Sequence, residues 1–200
     1  MEMDRRGVLT GLAASSVLPL AGCTGDSTSA DDGGGEPTPD EMSETPVGAS
    51  ARPQHDLGDP FTVGTGVRSI RYVVETVSVA ERIGTESFTT TADGLFLVVG
   101  LTMENVGDES IDITSRHLQV VDSQGRTFDA DDEATTYLSQ DARFGTEGIT
   151  FEQLQPGLRQ TRAVAFDIVS EESYAFKVSP AGIFSDAVPH YVALGTVPEP

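Results

Sequence analysis

Apolar residues recur at every second position through most of the chain after residue 57, and this alternation restricts the fold more than any other feature. A period of two puts successive side chains on opposite faces of a strand, so one face of each segment must find cover. Leu95, Leu97, Val99, Leu101 and Met103 form the longest such stripe. Phe96 and Val98 make the first half of the opposite face apolar as well, which predicts a central strand covered on both sides. Two readings of Phe96 and Val98 stand. Neighbouring loops or the Leu57–Val63 segment cover them, or they are a contact face for a partner, because large open apolar patches are rare on monomers.

Further strands follow from the same pattern. Arg68–Ile83 alternates, with Ile70, Tyr72, Val74, Thr76 and Ser78 on one face and Val73, Glu75, Val77 and Val79 on the other. Short strands are expected at Ile111–Ile113, Leu118–Val121 and Thr127–Phe128, the last two joined through the turn residues Asp122-Ser123-Gln124-Gly125. Arg159–Ile168 follows the turn Leu154-Gln155-Pro156-Gly157, and Tyr174–Val178 and Tyr191–Val197 close the series. Asp131-Asp132-Glu133-Ala134 predicts the start of a one- or two-turn helix, since acids favour a helix N-terminus. Seven or more short strands with turns between them define an all-β chain, an antiparallel β-sandwich. There is no Trp and no cysteine in this region, so the antibody hallmarks are absent and any immunoglobulin relationship is distant.

The first 57 residues have a different character. Arg5-Arg6, the apolar run Gly7–Ala21 and the small residues ahead of Cys23 have the order of a secretion signal. The run is about 15 residues, short of the ~20 a spanning helix needs, and Pro19 interrupts its end. Asp4-Arg5-Arg6-Gly7-Val8-Leu9 resembles the twin-arginine export signal, with Asp4 and Val8 where other residues are more usual; an ordinary export signal is the alternative. Leu20-Ala21-Gly22-Cys23 is the pattern of a lipoprotein processing site, which predicts a lipid on Cys23 and attachment to the outer face of the cell membrane. Residues 24–57 hold no aromatic residue and few large aliphatic ones, too little to offset the entropy of ordering, and are read as a disordered acidic tether. The expected organisation is a signal over 1–22, a lipidated cysteine and tether over 23–57, and the sandwich over 58–200.

The chain has 32 acidic and 12 basic residues, a net charge of −20 and a single lysine, Lys177. Nucleic acid is excluded as a partner, because phosphate contacts need clustered cations. Acid excess with almost no lysine is the composition of proteins that work in concentrated salt. There the Debye length falls to ~3 Å and neighbouring carboxylates hardly repel.

No catalytic signature is legible: the nucleophile elbow, the Ser-x-x-Lys pair, the His-Glu-x-x-His helix and the phosphate-cradling glycine loop are all missing. His55, His117 and His190 have no metal-type spacing, and His55 falls in the tether. The acidic run Asp129–Glu133 with Asp122 lacks the spacing of a calcium loop and reads as a solvated cluster. No cofactor is expected. Asn105, before Val106-Gly107-Asp108, is expected to shape a turn through side chain to backbone bonds.

Several segments, in order, resemble a family of secreted domains of unknown function with a telokin-like, immunoglobulin-like fold. They are Leu57–Gly64, Leu95–Asn105 with its Met103-Glu104-Asn105-Val106-Gly107 end, Leu118–Phe128 with Asp122 and Gly125 at its turn, and Pro156-Gly157 ahead of Ala163–Ile168. Asp131–Thr150 is longer and more acidic than that pattern. The resemblance implies a fold and an extracytoplasmic location and brings no catalytic residues; the twin-arginine-like signal, Cys23 and the acidic, lysine-poor composition are together read as a haloarchaeal type of lipoprotein. The expected function is non-enzymatic binding or interaction at the cell surface, with a surface protein or glycan as partner. The alternatives are an accessory subunit of a membrane complex such as a transporter, and a hydrolase of surface polysaccharide or peptide.

Overall fold

The computed structural model describes residues 52–169, 172–181 and 186–197. The export signal with Arg5 and Arg6, Cys23 and the tether up to residue 51 lie outside them. In chain order the elements are β1 (Gln54–His55), β2 (Pro60–Thr65), β3 (Arg68–Gly84), β4 (Thr89–Asn105), β5 (Ile111–Thr114), β6 (Leu118–Asp122), β7 (Thr127–Asp129), α1 (Asp132–Tyr137), β8 (Phe151–Leu154), β9 (Arg159–Ile168), β10 (Ser173–Val178) and β11 (His190–Thr196). Two 3-10 turns, Ser115–His117 and Leu138–Gln140, complete them.

The strands form an antiparallel β-sandwich. One sheet has the order β2-β3-β4-β9, the other β1-β11-β10-β6-β7, and β5 pairs with β8 apart from both. Every pairing between named strands is antiparallel except the short β1–β11 ladder, which is parallel. The Leu95–Met103 stripe faces the interior, with each of its residues at most 1 % exposed. It packs with Phe61, Tyr72, Val164, Phe166, Tyr174 and Phe176 into the main core. Short segments with one apolar stripe each cannot bury it alone, and two facing sheets satisfy all the stripes at once.

The long β3 departs from simple alternation. Ile70, Tyr72 and Val74 point inward as expected, but the register with β4 shifts between Val74 and Thr76. This bulge transfers the inward role to Val77, which packs on the main core, so Thr76 and Ser78 do not share the face of Ile70. At Gly100, opposite Thr76, a Cβ would lie 2.3 Å from the Thr76 hydroxyl, so a larger residue there would force that side chain to shift. A second shift between Ala80 and Arg82 turns Ile83 onto the outer side, where Ala80 already lies with Phe96 and Val98. Three strands, β2, β8 and the two-residue β1, are not among those expected; β8 and β1 carry no alternation long enough to announce themselves. Because β1 lies at 54–55, ordered structure begins ahead of residue 58, inside the segment read as tether.

The expected helix is present. The Asp131 carboxylate caps it, accepting the Ala134 N–H at 2.8 Å. Ala134 and Leu138 then bury against Phe96, Val98, Ala163 and Ala165 on the outer side of the four-stranded sheet.

Candidate functional site

Phe96 and Val98 are 1 % and 4 % exposed, which corrects their reading as a contact face. Their cover is α1 and the turn after it, drawn from the acidic 131–150 region rather than from Leu57–Val63. The latter segment instead supplies β2, an edge strand whose Phe61 and Val63 enter the main core. Two backbone links hold the cover down: Asp131 N–H to Ala165 O at 2.8 Å and Ala165 N–H to the buried Thr135 hydroxyl at 3.0 Å.

Three buried polar side chains organise loops rather than a reaction centre. Asn105 is fully buried; its amide donates to Glu109 O and Leu154 O at 2.7 and 2.8 Å, and its carbonyl accepts from Gly107 N–H at 3.0 Å. That is the expected turn-forming role, extended to tie β4 to the end of β8. Asp122, also fully buried, accepts from the backbone N–H of Gln124 and Arg126 at 3.0 and 2.8 Å and pairs with the Arg126 guanidinium. Asp141 accepts from Gly84 N–H at 3.0 Å and from the Arg143 side chain at 2.9 and 2.6 Å. The guanidinium holds its carboxyl well below the usual carboxylate range, against the opposing effect of burial. Arg143 also donates to Arg82 O at 2.6 Å, and beside this pair opens a cavity of about 630 Å³ lined by Arg82, Thr85, Glu86, Thr89 and Gln140.

The acidic run is distributed among protein donors. Asp129 accepts from Gln119 at 2.6 Å, Asp132 from the Ser115 hydroxyl at 2.8 Å, and Asp131 serves as the helix cap. Among the described residues no group of three or more His, Cys, Asp or Glu side chains stands ready to hold a metal ion.

The densest chemistry lies where β1 meets β11. His55, read from the sequence as part of the tether, reaches His190 across the parallel ladder, with Nε2 and Nδ1 2.9 Å apart. Their ring planes differ by 7° and the centroids are 5.1 Å apart. An N···N distance that short at that centroid separation sets the imidazoles edge to edge rather than face to face, joined by one N–H···N bond. Phe61 from β2 lies parallel to both rings, at 4.4 Å from His55 and 5.7 Å from His190, and Tyr72 follows at 5.8 Å. The row therefore bridges the two sheets at their β1/β2 edge. Burial pushes both imidazoles below the ordinary histidine value; Asp59 and Asp56 oppose this at His55, while His55 adds to it at His190.

His117 stays apart, its Nδ1 accepting the Thr114 N–H at 3.0 Å in its own turn. Nothing local in the chain marks the His55–His190 meeting, because a two-residue parallel ladder spanning the whole domain has no period to detect. Its one trace is the turn Asp56-Leu57-Gly58-Asp59, with Gly58 at φ 90°, which carries the chain from β1 to β2.

Fold and geometry together define a β-sandwich domain with structured loops and a paired-histidine edge. The chain belongs to the family described as "Domain of unknown function (DUF4352)", which matches residues 55–188. Among solved structures it is similar to the yjhA protein of Bacillus subtilis at 19 % identity and a TM-score of 0.52, covering 70 % of this chain and 98 % of that one. It is also similar to MPT63, a secreted protein of Mycobacterium tuberculosis, at 11 % identity and a TM-score of 0.50, covering 71 % and 97 %. At such identities the likeness concerns the fold alone. No match was found among the curated proteins.

Proposed function

We propose that this chain is a lipid-anchored extracytoplasmic protein whose sandwich is a non-enzymatic binding or interaction module, held off the membrane by its acidic tether. One observation carries the reading: Leu20-Ala21-Gly22-Cys23 follows Arg5-Arg6 and an apolar run too short to span a bilayer. Two hydrocarbon chains on Cys23 would give stable anchoring, where one would be marginal. A structural relative that is itself a secreted protein agrees with this location. Cys23→Ser is expected to shift the protein from the membrane fraction to the medium or to leave an uncleaved precursor. Mass spectrometry of the mature N-terminus decides the matter: an unmodified Cys23, or cleavage elsewhere, defeats the proposal.

The same reading includes work in concentrated salt, supported by 32 acids against 12 basic residues and by the single lysine. Carboxylate repulsion of this size is relieved mainly by screening. The melting temperature is expected to rise steeply from dilute buffer to multimolar KCl, and a flat profile would contradict a halophilic origin.

A further inference from the structure

We propose that the His55–His190 bond is a proton-operated latch: a proton taken up at His190 Nδ1 breaks it, frees β1 with the turn after it, and uncovers the ring of Phe61. Little else holds β1. Its ladder with β11 is two residues long. Beside it stand the Tyr191 N–H bond to Pro53 O at 2.9 Å, the Arg52 contact with the Tyr191 hydroxyl at 3.1 Å, and, in the turn, the Gly58 N–H bond to Val74 O at 2.8 Å. Short segments at an edge open at low free-energy cost without unfolding the rest of a domain. Beneath β1 the His55 ring lies parallel to Phe61 at 4.4 Å, so release of β1 turns a core side chain into surface.

The facing atoms dictate the order in which protons enter. Nε2 of His55 meets Nδ1 of His190 at 2.9 Å. The charged or titratable groups around the pair are Arg52 ahead of β1, Asp56 and Asp59 in the turn, Tyr72 on β3, Tyr191 on β11 and Lys177 on β10; β2 contributes Phe61. Burial opposes a charge on either ring most strongly, Asp59 and Asp56 favour one on His55, and His55 opposes one on His190. The first proton therefore goes to His55, which then carries hydrogens on both nitrogens. Its Nε2–H donates to the bare Nδ1 of His190 in a charge-assisted bond, and the latch stays shut. The second proton has one place to go, the accepting Nδ1 of His190. It sets two N–H groups face to face and two like charges on rings whose centroids are 5.1 Å apart, so attraction becomes repulsion. Both folded values lie below the ordinary 6.5. The stabilisation is complete above that value and is lost as the pH falls below it, His55 charging first and His190 second.

The test is amide hydrogen exchange in the full chain carrying Cys23→Ser, in multimolar KCl, from about pH 8 to about pH 4.5 and corrected for intrinsic exchange. Protection of the Tyr191 and Gly58 amides should fall about tenfold or more across that range, while β4 amides such as Val99 stay protected. His190→Asn places an amide oxygen where Nδ1 stands, an acceptor that takes no proton; it should keep the protection and lose the pH dependence. His55→Gln removes the first charge but leaves the acceptor, so opening should move to higher pH. His117→Gln should change nothing. Flat protection in the parent, or a pH dependence unchanged in His190→Asn, would overturn the inference. Should His190→Asn fail to fold, nitrogen spectra of the parent rings decide it: Nδ1 of His190 must stay bare until His55 is charged, and the reverse order defeats the latch. No outcome bears on the lipid anchor, which the mature N-terminus tests separately.

Discussion

On the outer side of the four-stranded sheet, Phe96, Val98, Ala163 and Ala165 are buried beneath α1 and the Leu138–Gln140 turn. On the outer side of the five-stranded sheet, the cross-strand row is Gln119, Lys177 and Tyr191, and the next is Val121, Ala175 and Ala193. There the polar side chains provide the order. Lys177 donates to Gln119 at 2.7 Å, and Arg52 reaches the Tyr191 hydroxyl at 3.1 Å with its guanidinium over the ring. The contrast teaches that an apolar residue on an outer strand face can be satisfied in two ways. A large one such as Phe96 needs a dedicated structural layer. Small ones such as Ala175 can be sheltered by the long stems of neighbouring polar residues.

The largest effect should come from the first kind of cover. Phe96→Ser with Val98→Ser removes the two large apolar groups that β4 buries on its outer face and leaves hydroxyls beneath α1. Truncating a buried Phe alone costs about 3–5 kcal/mol, a large part of the stability of a domain of this size. Thermal unfolding should show the pair unfolded or greatly destabilised. A near-normal melting temperature would mean that α1 does not cover this face in solution, and would reopen the contact-face reading.

A second, smaller effect tests how the covering segment is pinned at its far end. Asp141 ties that segment to Gly84 at the start of the β3–β4 hairpin and fixes Arg143. Asp141→Ala should cost about 2 kcal/mol, since it leaves the Gly84 N–H without its acceptor while the half-exposed Arg143 returns to water. The pH dependence has a definite sign. The folded pKa lies below the unfolded value of 3.8, so the contribution is complete above 3.8 and is lost as the pH falls below it toward the folded pKa. Asp141→Asn should flatten that part of the acid unfolding curve. An unchanged curve would assign the acid sensitivity to other carboxylates.

The difference between the two faces also explains what could be read in advance. The double apolar face of β4 was legible as a need for cover, and the cap of α1 was legible in Asp131-Asp132-Glu133. That the one covers the other was not, because nothing local links Phe96 to Leu138 across 42 positions of sequence. The strand β9 was legible to the residue, since its alternation and the Pro156-Gly157 turn agree. Beyond the bulge at Thr76 the faces of β3 were misread, because a bulge inverts the alternation without altering composition. His55 was misplaced for a further reason: its segment is too polar and short to form a strand alone and gains order only from β11.

The smallest expected effect probes the second kind of cover. Lys177, the single lysine, is held below the ordinary lysine pKa chiefly by burial, then by repulsion from Arg52, with Asp129 acting the other way. If its stem is what shelters the row beside Ala175, the charge should be nearly dispensable and the hydrocarbon should not. Lys177→Met keeps the stem and removes both the repulsion and the bond to Gln119, so its stability should lie within about 0.5 kcal/mol of the parent. Lys177→Ala removes the stem as well and opens the side of Tyr191, which should cost roughly 1 kcal/mol. Thermal unfolding of the two variants side by side gives the answer. Equal losses in both would mean that the hydrogen bond to Gln119, rather than the aliphatic stem, keeps this face in order.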